Sequence, residues 1–342
     1  MASRRNFLSS AAAAIGALSF PGTLAAQSSD NRSSARNALA AVSPLTRLNN
    51  GVEMPVFGIG TYALPTFQAA EVIRFALSNG YRLIDTAANY GNEKEVGEGI
   101  ASSGVPRSDV FVTTKLWLEH YGYDAAMRAF DESLRKLKLD YLDLYLLHWP
   151  QPVDFEKTIA SYKALEKLYA DKRIRAIGVS NFNADHLKSL RDRTEIVPVI
   201  NQIELHPYLS QEAVVKANDR YGIKTECWSP IGGIFTNHPR DAANVVHLLE
   251  DPVVVKLGQK HRKTPAQIVL RWHNQHGRIV IPKSQHYERL LKNIDIFRFE
   301  LSTEDIAAID GLNRNLRGGP DPNVFDLAAF KSAVERRRTA LD

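Results

Sequence analysis

Eight short apolar runs, separated by segments of helical periodicity, restrict the fold of this chain more than any other feature. The runs lie at 56–60, 83–85, 111–115, 142–148, 174–179, 199–202, 224–228 and 278–282. Between them apolar residues recur on one helical face, as at Ala126, Phe130, Leu134 and Leu137. Strands that alternate with helices indicate repeated βα units and a parallel sheet. Eight units are the number that a closed (β/α)8 TIM barrel needs, so we predict that α/β fold.

Additional segments surround the predicted barrel. Between residues 46 and 54, Asn50-Gly51 separates two short alternating segments, which predicts an N-terminal β-hairpin. A turn-rich stretch begins at Gly318 and leads to a polar helical end at 327–338, and we expect this C-terminal extension over the barrel mouth. The connection at 229–250 is longer than a usual βα loop, which marks a candidate functional loop. No linker divides the region, so we assign residues 44–342 to one domain.

Composition excludes several classes of function. Hydrophobic residues at 44% and charged residues at 24% are typical of a globular domain. The net charge of +5 is spread among acidic residues, which argues against a nucleic-acid partner. The single cysteine, Cys227, has no partner for an internal disulfide and is expected to be a small buried residue. No H-x-H or H-E-x-x-H motif occurs, so we predict no metal, and we expect His273 and His276 to be solvated.

The N-terminus predicts where the protein acts. Residues 3–8, SRRNFL, precede a weakly apolar stretch at 11–20 and small residues around Ala25-Ala26, which is a twin-arginine signal pattern. The apolar stretch is too short for a stable membrane anchor. We therefore predict a signal peptide at 1–26, a flexible lead-in at 27–43, the twin-arginine export machinery as a partner and a periplasmic location, with a cytoplasmic location as the alternative.

Polar residues stand at the ends of the predicted strands, where TIM-barrel enzymes carry their sites. They are Asp85, Lys115, His148, Ser180-Asn181, Gln202 and Lys283-Ser284. Tyr90 follows on the loop after Asp85. A lysine ammonium lowers the pKa of a nearby tyrosine, and an aspartate paired with that lysine holds it charged and in place. Asp85, Lys115 and Tyr90 thus form a workable proton relay, with His148 placed to donate a hydrogen bond to a substrate carbonyl.

Five motifs resemble the aldo-keto reductase superfamily. They are DTAANYGNE at 85–93, LLHWP at 146–150, GVSNF at 178–182, NQIE at 201–204 and IPKS at 281–284. The resemblance runs from about Leu48 to Asn315. It implies an NADP-dependent oxidoreductase acting on CH–OH groups, with Asp85, Tyr90, Lys115 and His148 as its catalytic tetrad. In this family hydride passes directly from nicotinamide C4 to a carbonyl carbon, and the tyrosine supplies the proton.

The same resemblance implies the cofactor site. Ser180, Asn181 and Gln202 would hold the nicotinamide carboxamide, and Trp228, followed by Ser229, would stack on the ring. A tryptophan there is typical of the bacterial 2,5-diketo-D-gluconate reductase-like members. Lys283, Ser284, Arg289 and Asn293 match the positions around the adenosine 2′-phosphate, which favours NADPH over NADH. His286 and Lys292 depart from the usual residues. No G-x-G-x-x-G follows a strand, and Gly58-Ile59-Gly60 is expected to be a tight turn, with Thr61 a weaker site candidate.

The substrate is predicted only as a class. Tyr62, Trp117 and Trp149, together with His148, are expected to wall a pocket for a small aldehyde or ketone, with keto-sugar acids as one candidate. We expect a monomer. Two other readings stay open: a non-catalytic NADP-binding regulatory protein, which the intact tetrad opposes, and a barrel hydrolase using His148 and carboxylates, which the cluster at Lys283 opposes.

Overall fold

The computed structural model describes residues 43–237 and 246–332. The predicted signal peptide and nearly all of the predicted lead-in lie outside these residues, as do the middle of the 229–250 connection and the end of the C-terminal extension.

The N-terminal hairpin forms as predicted. Strands β1 (Leu45–Arg47) and β2 (Glu53–Pro55) pair antiparallel, with Thr46 opposite Met54. The turn between them needs a positive φ at Gly51, where φ is +86° and only glycine is unstrained.

Eight further strands form one parallel sheet in sequence order. They are β3 (Ile59–Gly60), β4 (Leu83–Asp85), β5 (Phe111–Leu116), β6 (Leu144–Leu147), β7 (Ile177–Ser180), β8 (Ile200–Glu204), β9 (Lys224–Trp228) and β10 (Ile279–Val280). Every adjacent pair from β3 to β10 is parallel, as with Gln202 of β8 opposite Glu226 of β9. Each predicted run contains a strand. The first, fourth, fifth, sixth and eighth strands begin one to three residues later than predicted, and the fourth and eighth also end earlier.

Helices fill the connections between the strands and continue after β10. In the described residues they are α1 (Thr66–Ser78), α2 (Glu93–Ala101), α3 (Tyr123–Leu137), α4 (Phe155–Ala170), α5 (Ala184–Arg191), α6 (Glu212–Arg220), α7 (Gly233–Asn237), α8 (Pro252–His261), α9 (Pro265–Gln275), α10 (Tyr287–Ile294) and α11 (Thr303–Asp310). The predicted apolar stripe of α3 is buried, with Ala126, Phe130 and Leu137 fully covered against the barrel. The (β/α)8 prediction is confirmed.

The barrel closes between its first and last strands. Phe57 forms a parallel bridge with Val280, and the Gly58 amide donates to the Val280 carbonyl at 2.9 Å. A Cβ added to Gly60 would lie 2.8 Å from the Ile281 carbonyl oxygen, so the close approach requires glycine here. The two glycines that the sequence placed in a tight turn therefore serve closure of the barrel.

Alternation along each strand decides which side chains reach the barrel interior. Leu83, Leu144, Leu146, Ile200 and Ile279 belong to the inner apolar cluster, while Ile84, Tyr145, Leu147, Ile203 and Val280 belong to the larger cluster under the helices. Counting two residues forward from the inner set reaches Asp85, His148 and Gln202. The predicted site residues thus continue the inner rows at the carboxyl ends of the strands, where TIM-barrel sites lie.

The C-terminal extension lies over the barrel mouth, as predicted. Its Gly318 and Gly319 amides bond to Glu204 at the end of β8, and Phe325 packs on Trp149, which follows β6. A helical segment begins at Leu327, and its Phe330 packs on Trp117. Among the residues that the structure describes, no helix is long and apolar enough to cross a membrane.

Candidate active site

Lys115 is the centre of the site. Its side chain is fully buried in β5, and its ammonium has three acceptors for its three protons: Asp85 Oδ1 at 2.6 Å, the Thr86 carbonyl at 2.9 Å and Tyr90 Oη at 3.2 Å. Burial opposes the ammonium, but Asp85 and Tyr90 outweigh it and raise the pKa of Lys115. Lys115 is therefore a fixed positive charge, bonded to both predicted partners.

Because Lys115 donates to the Tyr90 oxygen, the hydroxyl proton of Tyr90 does not have to point at the lysine. It remains available for another acceptor in the barrel mouth. Burial raises the pKa of Tyr90 to about 12, although the Lys115 charge lowers it. The predicted lowering of the Tyr90 pKa by Lys115 is confirmed, but the opposite effect of desolvation is larger. The tyrosine is therefore protonated at neutral pH.

The turn that carries Tyr90 is held in place by Asn92, a residue that had no predicted role. Asn92 is fully buried, and its amide nitrogen donates to the carbonyls of Thr61 at 2.9 Å and Leu64 at 3.2 Å. Its amide oxygen accepts from the hydroxyls of Thr86 and Thr61 at 3.3 and 3.5 Å. The loops after β3 and β4 are thereby joined on either side of Tyr90. Thr61, a weak site candidate from the sequence, acts in this fastening.

His148 packs against the ring of Tyr90. Their ring centroids are 5.7 Å apart in an edge-to-face arrangement, and the Trp117 ring lies 5.0 Å from His148. Burial, together with the Lys115 charge, lowers the pKa of His148 well below its ordinary value, so the imidazole is neutral. Its buried Nδ1 has no hydrogen-bond partner among the described residues. A neutral imidazole keeps one N–H, which suits it to donate to a carbonyl oxygen.

The residues predicted around the nicotinamide form one hydrogen-bonded group. Asn181, in the left-handed conformation at φ 64°, donates to the His148 carbonyl at 3.0 Å and to Ser180 Oγ at 3.1 Å. Its amide oxygen accepts from Trp228 Nε1 at 2.9 Å. Gln202 Nε2 donates to two carboxyl groups inside the barrel, those of Asp85 and Glu226. Ser229 follows Trp228, and its hydroxyl accepts from the amide of Ile234, in the first turn of α7, at 2.8 Å.

The predicted phosphate residues lie around the start of α10. Lys283 is half-buried, Ser284 is buried, Arg289 is exposed in the first turns of the helix, and Asn293 is buried one turn later. No carboxylate of the described residues forms an ion pair with Lys283 or Arg289, and burial lowers the pKa of Lys283. Two unneutralised cations beside an uncapped helix N-terminus are typical of an anion-binding site.

The three aromatic residues of the predicted pocket pack on other rings, and two of those rings belong to the C-terminal extension. Tyr62 is 45% exposed and its ring lies 5.1 Å from that of Tyr90. Trp149 packs on Phe325 at 4.3 Å, and Trp117 packs on Phe330 at 4.7 Å. The sequence did not identify the two phenylalanines, because the extension has no periodicity that would show where it docks.

Glu204 is a second residue that the sequence left without a role. Its buried carboxylate accepts from the Gly318 amide at 2.6 Å, the Gly319 amide at 2.9 Å and His206 Nε2 at 3.1 Å, and these bonds outweigh burial and lower its pKa. A Cβ added to Gly319 would lie 2.5 Å from Trp228 Cη2. Glu204 therefore holds the extension directly against the predicted nicotinamide-stacking residue.

The predictions for Cys227 and for His276, which is exposed, are confirmed, whereas the prediction for His273 is wrong. Cys227 is buried, as expected. His273 is fully buried and hydrogen-bonded to the Pro230 carbonyl at 3.0 Å, so its predicted solvation was wrong; the helix α9 packs this face on the 229–237 connection. No cluster in the described residues has the side chains to hold a metal ion.

Known proteins similar to this chain are aldo-keto reductases and related oxidoreductases. A sequence profile described as Aldo/keto reductase family matches residues 56–314. Morphine 6-dehydrogenase of Pseudomonas putida is 50% identical over 297 residues, which are 86% of this chain and 100% of the relative. Glyoxal reductase of Bacillus subtilis is 46% identical over 278 residues, 81% of this chain and 95% of the relative.

A solved structure extends the likeness to three dimensions. An aldo-keto reductase of Bombyx mori, in complex with NADP, matches with a TM-score of 0.75 and 36% identity, over 84% of this chain and 97% of the other.

Proposed function

This chain belongs to the aldo/keto reductase family, and from that premise we propose that it reduces an aldehyde or ketone to the alcohol with NADPH, with Tyr90 as the proton donor. The observation that carries the proposal is the set of three Lys115 hydrogen bonds, which orients Tyr90 and leaves its proton for a substrate.

Each member of the tetrad has a distinct task in this proposal. Tyr90 gives its proton to the carbonyl oxygen, and the charge of Lys115 stabilises the phenolate left behind. Asp85 balances the Lys115 charge inside the barrel. His148, held neutral, donates to the same carbonyl oxygen and orients it.

The residues present fit a dinucleotide with a 2′-phosphate. Bound NADPH would supply the hydride that the carbonyl carbon receives. Ser180, Asn181 and Gln202 would hold the carboxamide next to Trp228 and Ser229, all at the mouth where Tyr90 lies. The unpaired charges of Lys283 and Arg289, with Ser284 and Asn293 in the same segment, suit the 2′-phosphate.

For the substrate we propose a carbonyl whose substituent packs on an aromatic wall. The Tyr62 ring contacts Tyr90, the Trp117 ring contacts His148, and the Trp149 ring packs on Phe325 of the extension. Aromatic faces favour planar or apolar groups over the hydroxyl-rich chain of a keto-sugar acid, which remains the competing candidate. The names of the two relatives, one acting on morphine and one on glyoxal, place both large and small molecules in the test.

A substrate panel tests the proposal. Purified protein, lacking residues 1–42 to match the described domain, is mixed with NADPH and with aromatic aldehydes, glyoxal or a diketo-gluconate, and loss of nicotinamide absorbance is followed. Morphine with NADP tests the oxidative direction. Turnover with any of these supports the proposal. Tight NADPH binding without any turnover would instead establish the non-catalytic regulatory alternative.

We further propose export through the twin-arginine route to the periplasm, followed by removal of residues 1–26. The support is the sequence alone: the SRRNFL motif, the apolar stretch and the small residues near Ala26 follow in the required order. Cell fractionation tests it. Replacement of Arg4 and Arg5 by Lys should keep the protein in the cytoplasm, and unchanged periplasmic accumulation would refute this route.

A further inference from the structure

A second carboxyl group lies buried under the relay, and the proposed reaction does not use it. Glu226 is the middle residue of β9 and faces the barrel interior with no exposed surface. Its Oε2 accepts from Gln202 Nε2 at 2.9 Å, and the same nitrogen donates to Asp85 Oδ2 at 2.8 Å. One neutral amide thus joins two buried carboxyls.

The charges in the interior do not balance if both carboxyls are ionised. Asp85 is bonded to Lys115, the cation of this layer, whereas Glu226 forms no ion pair among the described residues. Around Glu226, β8 contributes the neutral Gln202 and β10 the apolar Ile279. The other titratable group whose charge interacts with Glu226 is the buried Cys227 thiol, next to it in β9.

The hydrogen bonding of Glu226 also favours a neutral group. Its Oε1 is buried and has no partner within the described structure. An ionised oxygen in that position would be a desolvated charge without compensation, whereas a protonated carboxyl costs much less. Burial, with the charge of Asp85, raises the pKa of Glu226 to about 8. Asp85 and Glu226 titrate together, and the proton resides on Glu226, because Asp85 is already paired with the Lys115 cation.

We propose that Glu226 is a positioning residue that stores a proton beneath the relay, and that loss of this proton slows carbonyl reduction at alkaline pH. The neutral acid holds Gln202 toward Asp85 without adding charge. Once ionised, Glu226 places a second negative charge beside Asp85. This charge competes with Tyr90 for the Lys115 cation, so Tyr90 becomes a weaker acid. This inference rests on the proposed function for its kinetic part only.

The pH profile of kcat/KM for NADPH oxidation tests the kinetic part. We expect the wild-type profile to bend downward near pH 8, with a total fall of at most about tenfold for a rise of about one unit in the pKa of Tyr90. Glu226→Gln keeps the shape and the hydrogen bond but cannot ionise, so its profile should stay flat through this range. Glu93→Gln is the matched control, because Glu93 is also buried with a raised pKa but bonds to Thr114, away from the relay. It should keep the wild-type bend, whatever its rate.

Infrared difference spectra of the protein without cofactor test proton storage independently of activity. The difference between the wild-type spectrum and that of Glu226→Gln at pH 7 should contain the carbonyl stretch of one protonated carboxylic acid, and this band should disappear as the pH rises past about 8. Absence of that band at pH 7, or the same bend in Glu226→Gln as in the wild type, would overturn the inference. If the wild type oxidises no NADPH, the proposed function fails, and the spectra still decide whether Glu226 holds a proton.

Discussion

Replacement of Lys115 by Met separates the structural role of this lysine from its proposed chemical role. The side chain is fully buried, and its loss removes the hydrogen bonds to Asp85 at 2.6 Å, the Thr86 carbonyl at 2.9 Å and Tyr90 at 3.2 Å. Asp85, only 2% exposed, then becomes a buried carboxylate without its cation. Breaking a buried pair from one side costs about 3–5 kcal/mol of unfolding free energy.

The double variant Lys115→Met with Asp85→Asn removes both charges at once. Because no uncompensated charge is left, we expect it to be about 1–3 kcal/mol more stable than the sum of the two single losses. Urea unfolding followed by tryptophan fluorescence measures all four proteins. Turnover should be lost in each variant without Lys115, stable or not, since Tyr90 no longer has a charge to stabilise its phenolate. Additive stabilities, or turnover restored in the double variant, would refute this reading of the pair.

Three further predictions use the cofactor site, the extension and the buried acid. Arg289→Ala should weaken NADPH binding by about 1.5–3 kcal/mol, or about 10- to 150-fold, and should affect NADH binding little. Arg298→Ala, at another exposed arginine, is the control, and equal losses for both cofactors would contradict the assignment of Arg289 to the 2′-phosphate. Gly319→Ala, whose Cβ would lie 2.5 Å from Trp228, should cost about 1–3 kcal/mol in urea unfolding, while Gly311→Ala, with its nearest neighbour at 3.5 Å, should cost little. Because the folded pKa of Glu226 is raised, its stabilising effect is complete below the ordinary pKa of a glutamate and is lost as the pH rises to about 8. In this window the unfolding free energy of the wild type should fall, relative to that of Glu226→Gln, by up to about 1.4 kcal/mol per pH unit. Parallel curves of stability against pH for the two proteins would contradict this prediction.

Local patterns were enough to predict the barrel and the inner members of the site. Alternation along a strand has a fixed period of two, so a polar residue that ends an apolar run, such as Asp85 or Lys115, falls on the same face as the inner leucines. Parallel strands then bring such residues to one mouth. The same rule places Glu226 on the face it shares with Trp228, but an acid in the middle of a strand does not by itself mark a site.

Contacts between distant segments could not be predicted in the same way. Glu204 acquires its role from Gly318 and Gly319, more than a hundred residues later, and Phe330 meets Trp117 only because the extension folds over the mouth. The net pKa of Tyr90 was equally out of reach, since the sequence shows that a lysine is near but not how much water the fold removes.

The most direct test of the central claim is the Tyr90→Phe variant, which removes the hydroxyl that Lys115 holds and leaves the residues around the cofactor in place. With the best carbonyl substrate of the panel, NADPH oxidation should fall by at least about a hundredfold, the usual contribution of a general acid. NADPH affinity, measured by fluorescence titration, should remain close to that of the wild type, and Tyr141→Phe, which alters a tyrosine that packs on Arg107, should keep full activity. Full turnover by Tyr90→Phe would show that the proton comes from another group.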